Sequence, residues 1–350
     1  MAVFPTQLPK IAFPWEVDSI QFRLEEISSL YVRLTFSDKE IYSALLYTGV
    51  PSTRLVLSST FVVAENISQL IIDECQTRCA PLTIYYSEDG TTYTESQTIR
   101  IIPCNIVTQY RASEIATSSF LTLLGDTKQT AVDGREVLRL YTPTSSSPEA
   151  LSLTATFVSS SGTPYEVTNS DRVVGMPSEV SSFLVDMSSI SSWRAHPSDC
   201  LAKVVVRVGT RKQTYLVNPH LRHSLRFMNC FYSEDVIYFS EIEREVKPTR
   251  TSGQVSGKHV TFFVEPSSKT KGTTAPLLDS ELDWAEDAVH SIYFKDSDDR
   301  DVSITDNTFK YDSGISSMPR LTLTWELYQY RYKFSRTVKT FDFTFDETYG

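Results

Sequence analysis

The histidines and cysteines of this chain are the first residues whose spacing could support metal chemistry. His220 and His223 have H-x2-H spacing, which on a helix could place both rings on one side. Cys75 and Cys79 have C-x3-C spacing, and the other cysteines are scattered: Cys104, Cys200 and Cys230. A zinc site needs at least three protein ligands, and no second Cys/His pair at zinc-finger distance completes either set. We therefore interpret the two histidines as part of an interdomain linker and the cysteines as structural thiols, and we predict no cofactor.

One acidic run, at residues 296–301 with the sequence DSDDRD, could offer oxygen ligands to Ca²⁺. Hard cations take carboxylate ligands from alternating loop positions. The run has no Gly at the sixth position and no distal Glu, both of which an EF-hand loop requires. A solvated turn between strands is therefore the favoured interpretation, and cation binding is left open.

Motifs for covalent catalysis and for phosphate binding are missing from the sequence. There is no G-x-S-x-G nucleophile elbow, no P-loop and no G-x-G-x-x-G fingerprint. A glycosidase would need two carboxylates roughly 5–10 Å apart in a cleft. The 43 acidic residues are spread too evenly to nominate such a pair. We predict that the protein is not an enzyme.

Aromatic residues near the C-terminus are the predicted interface residues: Trp325, Tyr328, Tyr330, Tyr332, Phe341, Phe343 and Phe345. The first four put rings on both faces of one predicted hairpin, so both faces must be covered, by the same domain or by a neighbouring subunit. The three phenylalanines alternate with polar residues at period 2, which predicts an amphipathic edge strand. Such a strand could add to a neighbouring subunit or complete a sheet of its own domain.

Composition favours β-structure and disfavours a nucleic-acid partner. The chain has 18 Tyr and 19 Phe beside only 12 Gly, and aromatic residues suit a pleated, half-buried surface. The net charge of −10 opposes binding to a phosphate backbone. Three prolines interrupt the first 17 residues, which argues against a signal peptide. The sequence has no run of about 18 apolar residues, so we predict no membrane insertion.

Short β-rich runs recur along the chain, separated by clusters of Gly, Pro, Asn, Asp or Ser, a pattern typical of sandwiches. We predict an all-β fold of tandem β-sandwich (Ig/FN3-like) domains. The predicted boundaries are 1–105 and 106–224 for two sandwiches, and 225–350 for a C-terminal β-rich domain with a terminal edge strand. Apolar residues at i, i+4, i+7 and i+11, with acids in the first turns, predict one short helix near 278–289.

Local signals also predict particular connections. Asp89-Gly90 predicts a hairpin turn, and residues 209–212 predict a four-residue hairpin turn. Residues 266–274 are rich in Lys, Ser, Thr and Gly and are interpreted as a loop. The pattern at residues 114–124 does not decide between a short helix and an extended connector.

Four segments of the chain resemble tail-region proteins encoded by phages and prophages of Bacteroides-type bacteria. Residues 225–233 (LRFMNCFYS) are similar to the strand-turn element (F/L)xFxNxFG of that family, although Tyr232 or Ser233 stands where a Gly is usual. The other three segments are the acidic helix ending near Trp284-Ala285, residues 304–325, and the terminal FDFTFDETY at 341–349. The resemblance covers 225–350 best, 106–224 loosely and the first hundred residues not at all. It implies a structural component of the tail tip or baseplate, with no catalytic residues to transfer.

Three functions follow as hypotheses. The first is a structural subunit of a phage virion, made in the host cytoplasm and built into the tail. Its expected partners are copies of itself in a ring-like homo-oligomer and other phage tail proteins. The second is a carbohydrate-binding or host-adhesion module, with a host glycan as its partner and a solvent-facing aromatic platform. The third, an enzyme such as a glycosidase, is the least favoured.

Overall fold

The computed structural model describes residues 3–5, 7–24, 29–48, 61–75, 78–142, 149–174, 179–247, 249–255, 258–265, 268–310 and 318–327. Strands dominate this part of the chain, and several sheets pack as sandwiches, which confirms the all-β fold class. The predicted C-terminal helix is also confirmed. Within these residues, no helix has the length and hydropathy needed to cross a membrane.

Up to residue 105, the described elements are β1 (Val3–Pro5), β2 (Ile11–Ala12), a 3-10 turn (Pro14–Val17), β3 (Ile20–Leu24), β4 (Ser29–Phe36), β5 (Lys39–Tyr47), β6 (Phe61–Ala64), α1 (Ile67–Cys75), β7 (Ala80–Ser87) and β8 (Thr94–Ile101). They form a sheet in the order β1-β3-β6 and a second in the order β2-β8-β7-β4-β5. Strict alternation in β4 buries its apolar residues against one shared core, to which α1 adds Ile67, Ile71 and Cys75.

Between residues 106 and 222, the described elements are α2 (Ala112–Ser118), β9 (Thr127–Thr130), β10 (Arg135–Tyr141), β11 (Glu149–Val158), β12 (Pro164–Val174), β13 (Val180–Asp186), α3 (Met187–Ser191), β14 (Cys200–Val208) and β15 (Arg211–Val217). The larger sheet has the order β12-β11-β14-β15-β9, and the smaller pairs β10 with β13. A second hydrophobic core lies among these elements, with Phe157 and Tyr215 among its largest buried residues.

From residue 223 onward, the described elements are β16 (His223–Met228), β17 (Glu234–Phe239), β18 (Glu241–Val246), β19 (Thr249–Val255), β20 (Lys258–Glu265), β21 (Ser268–Thr273), a 3-10 turn (Asp279–Glu281), α4 (Leu282–His290), β22 (Phe294–Asp296), β23 (Asp301–Lys310) and β24 (Arg320–Leu327). The main sheet has the order β17-β16-β22-β23-β24-β21-β18. Its first and last strands are consecutive in the chain, separated only by Ser240, so the sheet curls around its core. The rings of Phe239 and Trp325 consequently stack 5.3 Å apart, although their strands are four places apart in the sheet.

Several local predictions are corrected. Residues 268–273 of the predicted loop form β21, an internal strand of the curled sheet. The β14–β15 turn has two residues instead of four, because Val208 pairs with Arg211, and Gly209 adopts a left-handed φ of +57°.

The segment at residues 114–124, for which the sequence pattern was undecided, begins as helix α2. Helices α1 and α3 were missed. The predicted Asp89-Gly90 turn joins β7 to β8, with Gly90 at φ +74°.

A fourth cluster, the junction, joins residues from all three predicted domains. Phe13 and Cys104 belong to the first, Ile115 and Tyr141 to the second, and Phe231 to the third. A smaller buried cluster places Ala131 of the second predicted domain against Val236 and Tyr238 of the curled sheet. The three-domain boundaries stay a prediction, but the three cores are joined by buried contacts and not only by covalent linkers.

Candidate functional site

The predicted interface residues divide into one described residue and six that are not. Trp325 is 7% exposed and packs inside the third core against Phe239. In the single chain it is therefore a core residue, and covering it requires no partner. Tyr328, Tyr330, Tyr332, Phe341, Phe343 and Phe345 lie outside the described residues, so their interface role stays a prediction.

The acidic run at 296–301 forms a turn whose carboxylates bind basic side chains of the same chain. Arg300 donates from Nε to Asp296 Oδ2 at 2.7 Å, and Asp296 Oδ1 accepts the backbone N–H groups of residues 298 and 300. Lys295 and Arg226 both donate to Asp299, at 3.0 and 2.6 Å, and these donors hold the pKa of that carboxyl below its ordinary value. The geometry supports the interpretation of a solvated turn.

The histidine pair differs in exposure from Cys75, which is buried, and from Cys79, which is half-buried. His220 and His223 are exposed, at the connection that leads into β16. Burial raises the pKa of the Cys75 and Cys79 thiols to about 12, so both are protonated near neutral pH. No cluster of three His, Cys, Asp or Glu side chains suited to a metal ion occurs in the described ranges.

A buried ion pair stands at the contact between the second core and the curled sheet. Lys128 Nζ lies 2.8 Å from Glu136 Oε2, with exposed side-chain fractions of only 2% and 4%. Lys128 also donates to the carbonyl of Val236 at 2.6 Å and lies 4.7 Å from the ring centroid of Trp284. Thr130 Oγ1 donates to the second oxygen of Glu136 at 2.7 Å. Both charges are thus satisfied, and each binds groups that only the folded chain brings together.

Asp235 forms the second half of this polar core. Its Oδ2 atom accepts hydrogen bonds from Thr122 Oγ1 at 2.7 Å, Asn229 Nδ2 at 3.0 Å and Trp284 Nε1 at 3.1 Å. Burial raises the pKa of the Asp235 carboxyl above its ordinary value, against the opposing effects of Lys128 and of the hydrogen-bond donors. Three separate segments therefore converge on one carboxylate.

The side chain of Asn229 stabilises the turn in the strand-turn motif of residues 225–233. Its Oδ1 accepts the backbone N–H groups of Phe231 and Ser233, at 3.0 and 2.9 Å, and its Nδ2 donates to Leu121 O and to Asp235. Tyr232 has a φ of +55°, the left-handed region that glycine adopts most easily. The position that departs from the resembling motif is therefore the one where a Gly would relieve strain.

An open cleft of about 470 Å³ borders the junction between residues 106–110 and α4. Asp287 of α4 lines it, is 7% exposed and accepts the backbone N–H of Cys230 at 3.0 Å. Burial raises the pKa of Asp287 to about 6, with Asp235 adding to the effect. A hydrogen bond with the Cys104 thiol raises the pKa of the Cys230 thiol, and burial and the nearby Asp287 add to this effect.

A hairpin ribbon, β19 and β20, extends from the edge of the curled sheet. Strand β18 pairs with β21 at its base, and β19 then pairs with β20 over residues 249–255 and 258–265. Among the described strands, neither β19 nor β20 has a third partner. The sequence of β20 is rich in Val and Phe, which favour sheets. Within the described part of the chain, both backbone edges of the ribbon are therefore without a neighbouring strand.

Sequence reasoning missed the buried polar core and the ribbon. Lys128 is separated from Val236 by more than a hundred residues, so no local spacing joins them. The pairing of β19 with β20 was not predicted from the sequence. The alternation of Thr249, Thr251 and Val255 with polar residues is a signal that could have indicated β19.

No protein-family model matches this chain, and a search of curated proteins found no match.

Proposed function

We propose that this chain is a structural subunit of a bacteriophage virion, at the tail tip or baseplate, that acts by self-association and by contacts with other tail proteins. The single observation that carries the proposal is the ribbon of β19 and β20, which has no third strand among the described elements. The likeness of residues 225–233 to a phage tail motif supports the choice of particle.

The backbone physics of the ribbon favours a partner. An isolated two-stranded hairpin is at best marginally stable in water, and exposed edges carry unpaired N–H and C=O groups. A strand from a neighbouring copy would satisfy one edge through main-chain hydrogen bonds. In a ring each subunit would give one edge and receive another, so the contact repeats until the ring closes.

The buried junction supports the proposal because its contacts join the three cores. Phe13 and Phe231, from the first and third predicted domains, have ring centroids 5.7 Å apart. Asn105 N–H donates to Cys230 O at 3.1 Å, and Glu16 Oε2 accepts the N–H of Ala112 at 3.1 Å. These contacts limit hinge motion between the three cores, and a particle component that transmits force needs that rigidity.

The test is to shorten the ribbon and measure the oligomer. Val246 and Ser268 are directly paired, so replacing residues 247–267 by Asn-Gly should close β18 and β21 with a two-residue turn. We expect the full chain to form a defined oligomer in light scattering and the shortened chain to be a monomer with an unchanged circular dichroism spectrum. In the encoding phage, antibodies against the chain should label the tail tip of intact particles in electron micrographs.

The matched control shortens another hairpin in the same way. Val158 and Pro164 are paired across the β11–β12 turn, and replacing residues 159–163 by Asn-Gly should leave the oligomer intact. A full chain that is a monomer at high concentration would overturn the proposal. So would a shortened ribbon that still assembles, or particles that lack the protein.

A further inference from the structure

The outer face of the first large sheet carries a cluster that the assembly proposal does not use, here called the tyrosine platform: Tyr31, Arg33, Tyr85 and Tyr93. In β4 the even-numbered residues are buried, so Tyr31 and Arg33 lie on the opposite face. Arg33 is paired across the strands with Tyr85 on β7, and Tyr93 immediately precedes β8. All four side chains are half-buried.

The guanidinium of Arg33 is held by rings instead of by carboxylates. Its central carbon lies 4.2 Å from the ring centroid of Tyr93 and 4.9 Å from that of Tyr85. Stacking of this kind orients the flat guanidinium. Its Nε is buried without an acceptor, and Arg33 makes no ion pair with any described residue.

Among the described arginines, Arg33 is distinguished by a guanidinium stacked on two tyrosine rings and by an Nε that is buried without an acceptor. Two acids lie on nearby strands: Glu40 of β5 is opposite Thr35, and Glu95, opposite Tyr85, accepts a hydrogen bond from Thr98 Oγ1 at 2.9 Å. On the other side, Arg33 is paired with Ser43, an exposed hydroxyl. Among the described residues, the guanidinium of Arg33 therefore lies against tyrosine rings and near a serine hydroxyl.

The edge of the platform is rigid. Asp89 Oδ1 accepts the backbone N–H groups of Thr91 and Thr92, at 2.8 and 3.0 Å, and the hydroxyl of Ser87. Gly90 at φ +74° lies so close to Tyr31 that an added Cβ would be 3.0 Å from its ring. This turn fixes the position of Tyr31 beside Arg33, so the platform is formed before any ligand arrives.

We infer that the tyrosine platform binds a saccharide that bears a carboxylate, such as a hexuronic acid unit. A guanidinium fork matches a carboxylate with two parallel hydrogen bonds. Tyrosine rings offer flat apolar surface to a pyranose ring, and their hydroxyls offer polar contacts. This binding site is independent of the assembly function and could serve attachment to an acidic surface glycan.

The test uses the full chain and a defined probe, α-1,4-linked tetragalacturonate, titrated by calorimetry. The matched ligand control is the same tetramer with its carboxyls methyl-esterified, which keeps the rings and removes the charge. We expect the ester to bind about 10- to 100-fold more weakly, the range typical for loss of hydrogen bonds to a charged group. Tetraglutamate, which has the charge without the sugar rings, should bind as weakly as the ester.

Variants then assign the site. Arg33→Gln should weaken tetragalacturonate binding by at least about 10-fold, and Arg33→Lys, which keeps the charge, should also weaken it because the planar fork is lost. Tyr93→Phe keeps the ring and should change little, whereas Tyr93→Ala should weaken binding. Arg207→Gln, at an exposed arginine on β14, is the matched control and should bind as the unaltered chain does.

Several results would overturn the inference: no binding of tetragalacturonate, equal binding of the ester, or unchanged binding by both Arg33 variants. Equal binding of tetraglutamate would assign the surface to an acidic peptide instead. Light scattering of Arg33→Gln separates this inference from the assembly proposal, because the platform lies far in sequence from the ribbon and the oligomer should be unchanged.

Discussion

Two lysine–glutamate pairs in this molecule have the same chemistry and opposite surroundings. Lys128 and Glu136, next to the junction, are almost fully buried with a separation of 2.8 Å. Lys271 and Glu243, directly opposite each other at the base of the ribbon, are 3.8 Å apart with exposed fractions of 52% and 79%. The first pair is enclosed by Trp284, Thr130 and the carbonyl of Val236, and the second lies in water.

The difference shows which charges hold the molecule together. Water screens the exposed pair and would solvate either partner alone, so its contribution is small. The buried pair has lost its water, and each charge depends on the other together with the surrounding donors and acceptors. Charges near the junction therefore specify how the second core meets the curled sheet, while those along the ribbon base mainly keep an edge strand soluble.

The largest effect is expected from breaking the buried pair. Glu136→Leu should lower the free energy of unfolding by about 3–5 kcal/mol, because the Lys128 ammonium is left buried without its counter-charge. The double variant Lys128→Met/Glu136→Leu should recover most of this loss, since an apolar pair of similar volume has no charge to desolvate. Urea unfolding followed by circular dichroism measures both. A single variant that loses less than the double variant would contradict the role assigned to the pair.

A smaller, pH-dependent effect is expected from Asp287 at the rim of the junction. Its folded-state pKa of about 6 exceeds the ordinary value of 3.8, so the folded chain binds more protons than the unfolded chain between these values. Its stabilising contribution is complete below pH 3.8 and is lost as the pH rises through about 6. Relative to Asp287→Asn, the unaltered chain should lose about 2–3 kcal/mol across this window.

Asp287→Asn keeps an oxygen that can accept the Cys230 N–H, so the comparison isolates the titration. Unfolding free energies at a series of pH values between 4 and 7 measure the difference. If that difference is constant over the series, Asp287 does not titrate as its burial requires.

The smallest effect is expected from the exposed pair. Glu243→Gln should change the free energy of unfolding by no more than about 0.5 kcal/mol, because an exposed pair at this separation contributes little. The residual effect should disappear in high salt, where the charges are screened. Thermal unfolding at low and high salt provides the measurement. A loss comparable to that of Glu136→Leu would mean that burial does not separate the two regions.

Local patterns were sufficient for most strands and for one helix. Strand β4, whose even-numbered residues are buried, has the alternating pattern that predicts a strand, and the spacing of apolar residues near 278–289 predicted α4. Helix α1 was missed because Ile67, Ile71 and Ile72 are β-branched in a short apolar run, which periodicity alone cannot assign. Strand β21 was missed because its polar residues gain a sheet only by pairing with β18 and β24.

The candidate sites were less accessible to sequence reasoning than the fold. Trp325 was predicted to lie at an interface and instead lies against Phe239 in its own core, because the curl of the sheet covers it. The turn interpretation of 296–301 agrees with the structure, since its partners are mostly within four residues. Arg33 and its tyrosines come from β4, from β7 and from the residue before β8, and only the folded sheet brings them together.

By itself, the sequence determined the β character of this protein, the positions of most strands and its acidic surface, because alternation and composition act within a few residues. Tertiary structure alone decided which charges are buried, which arginine stacks on tyrosine rings and where a ribbon leaves the sheet. These properties depend on residues far apart in the chain, and desolvation acts only after those residues have met.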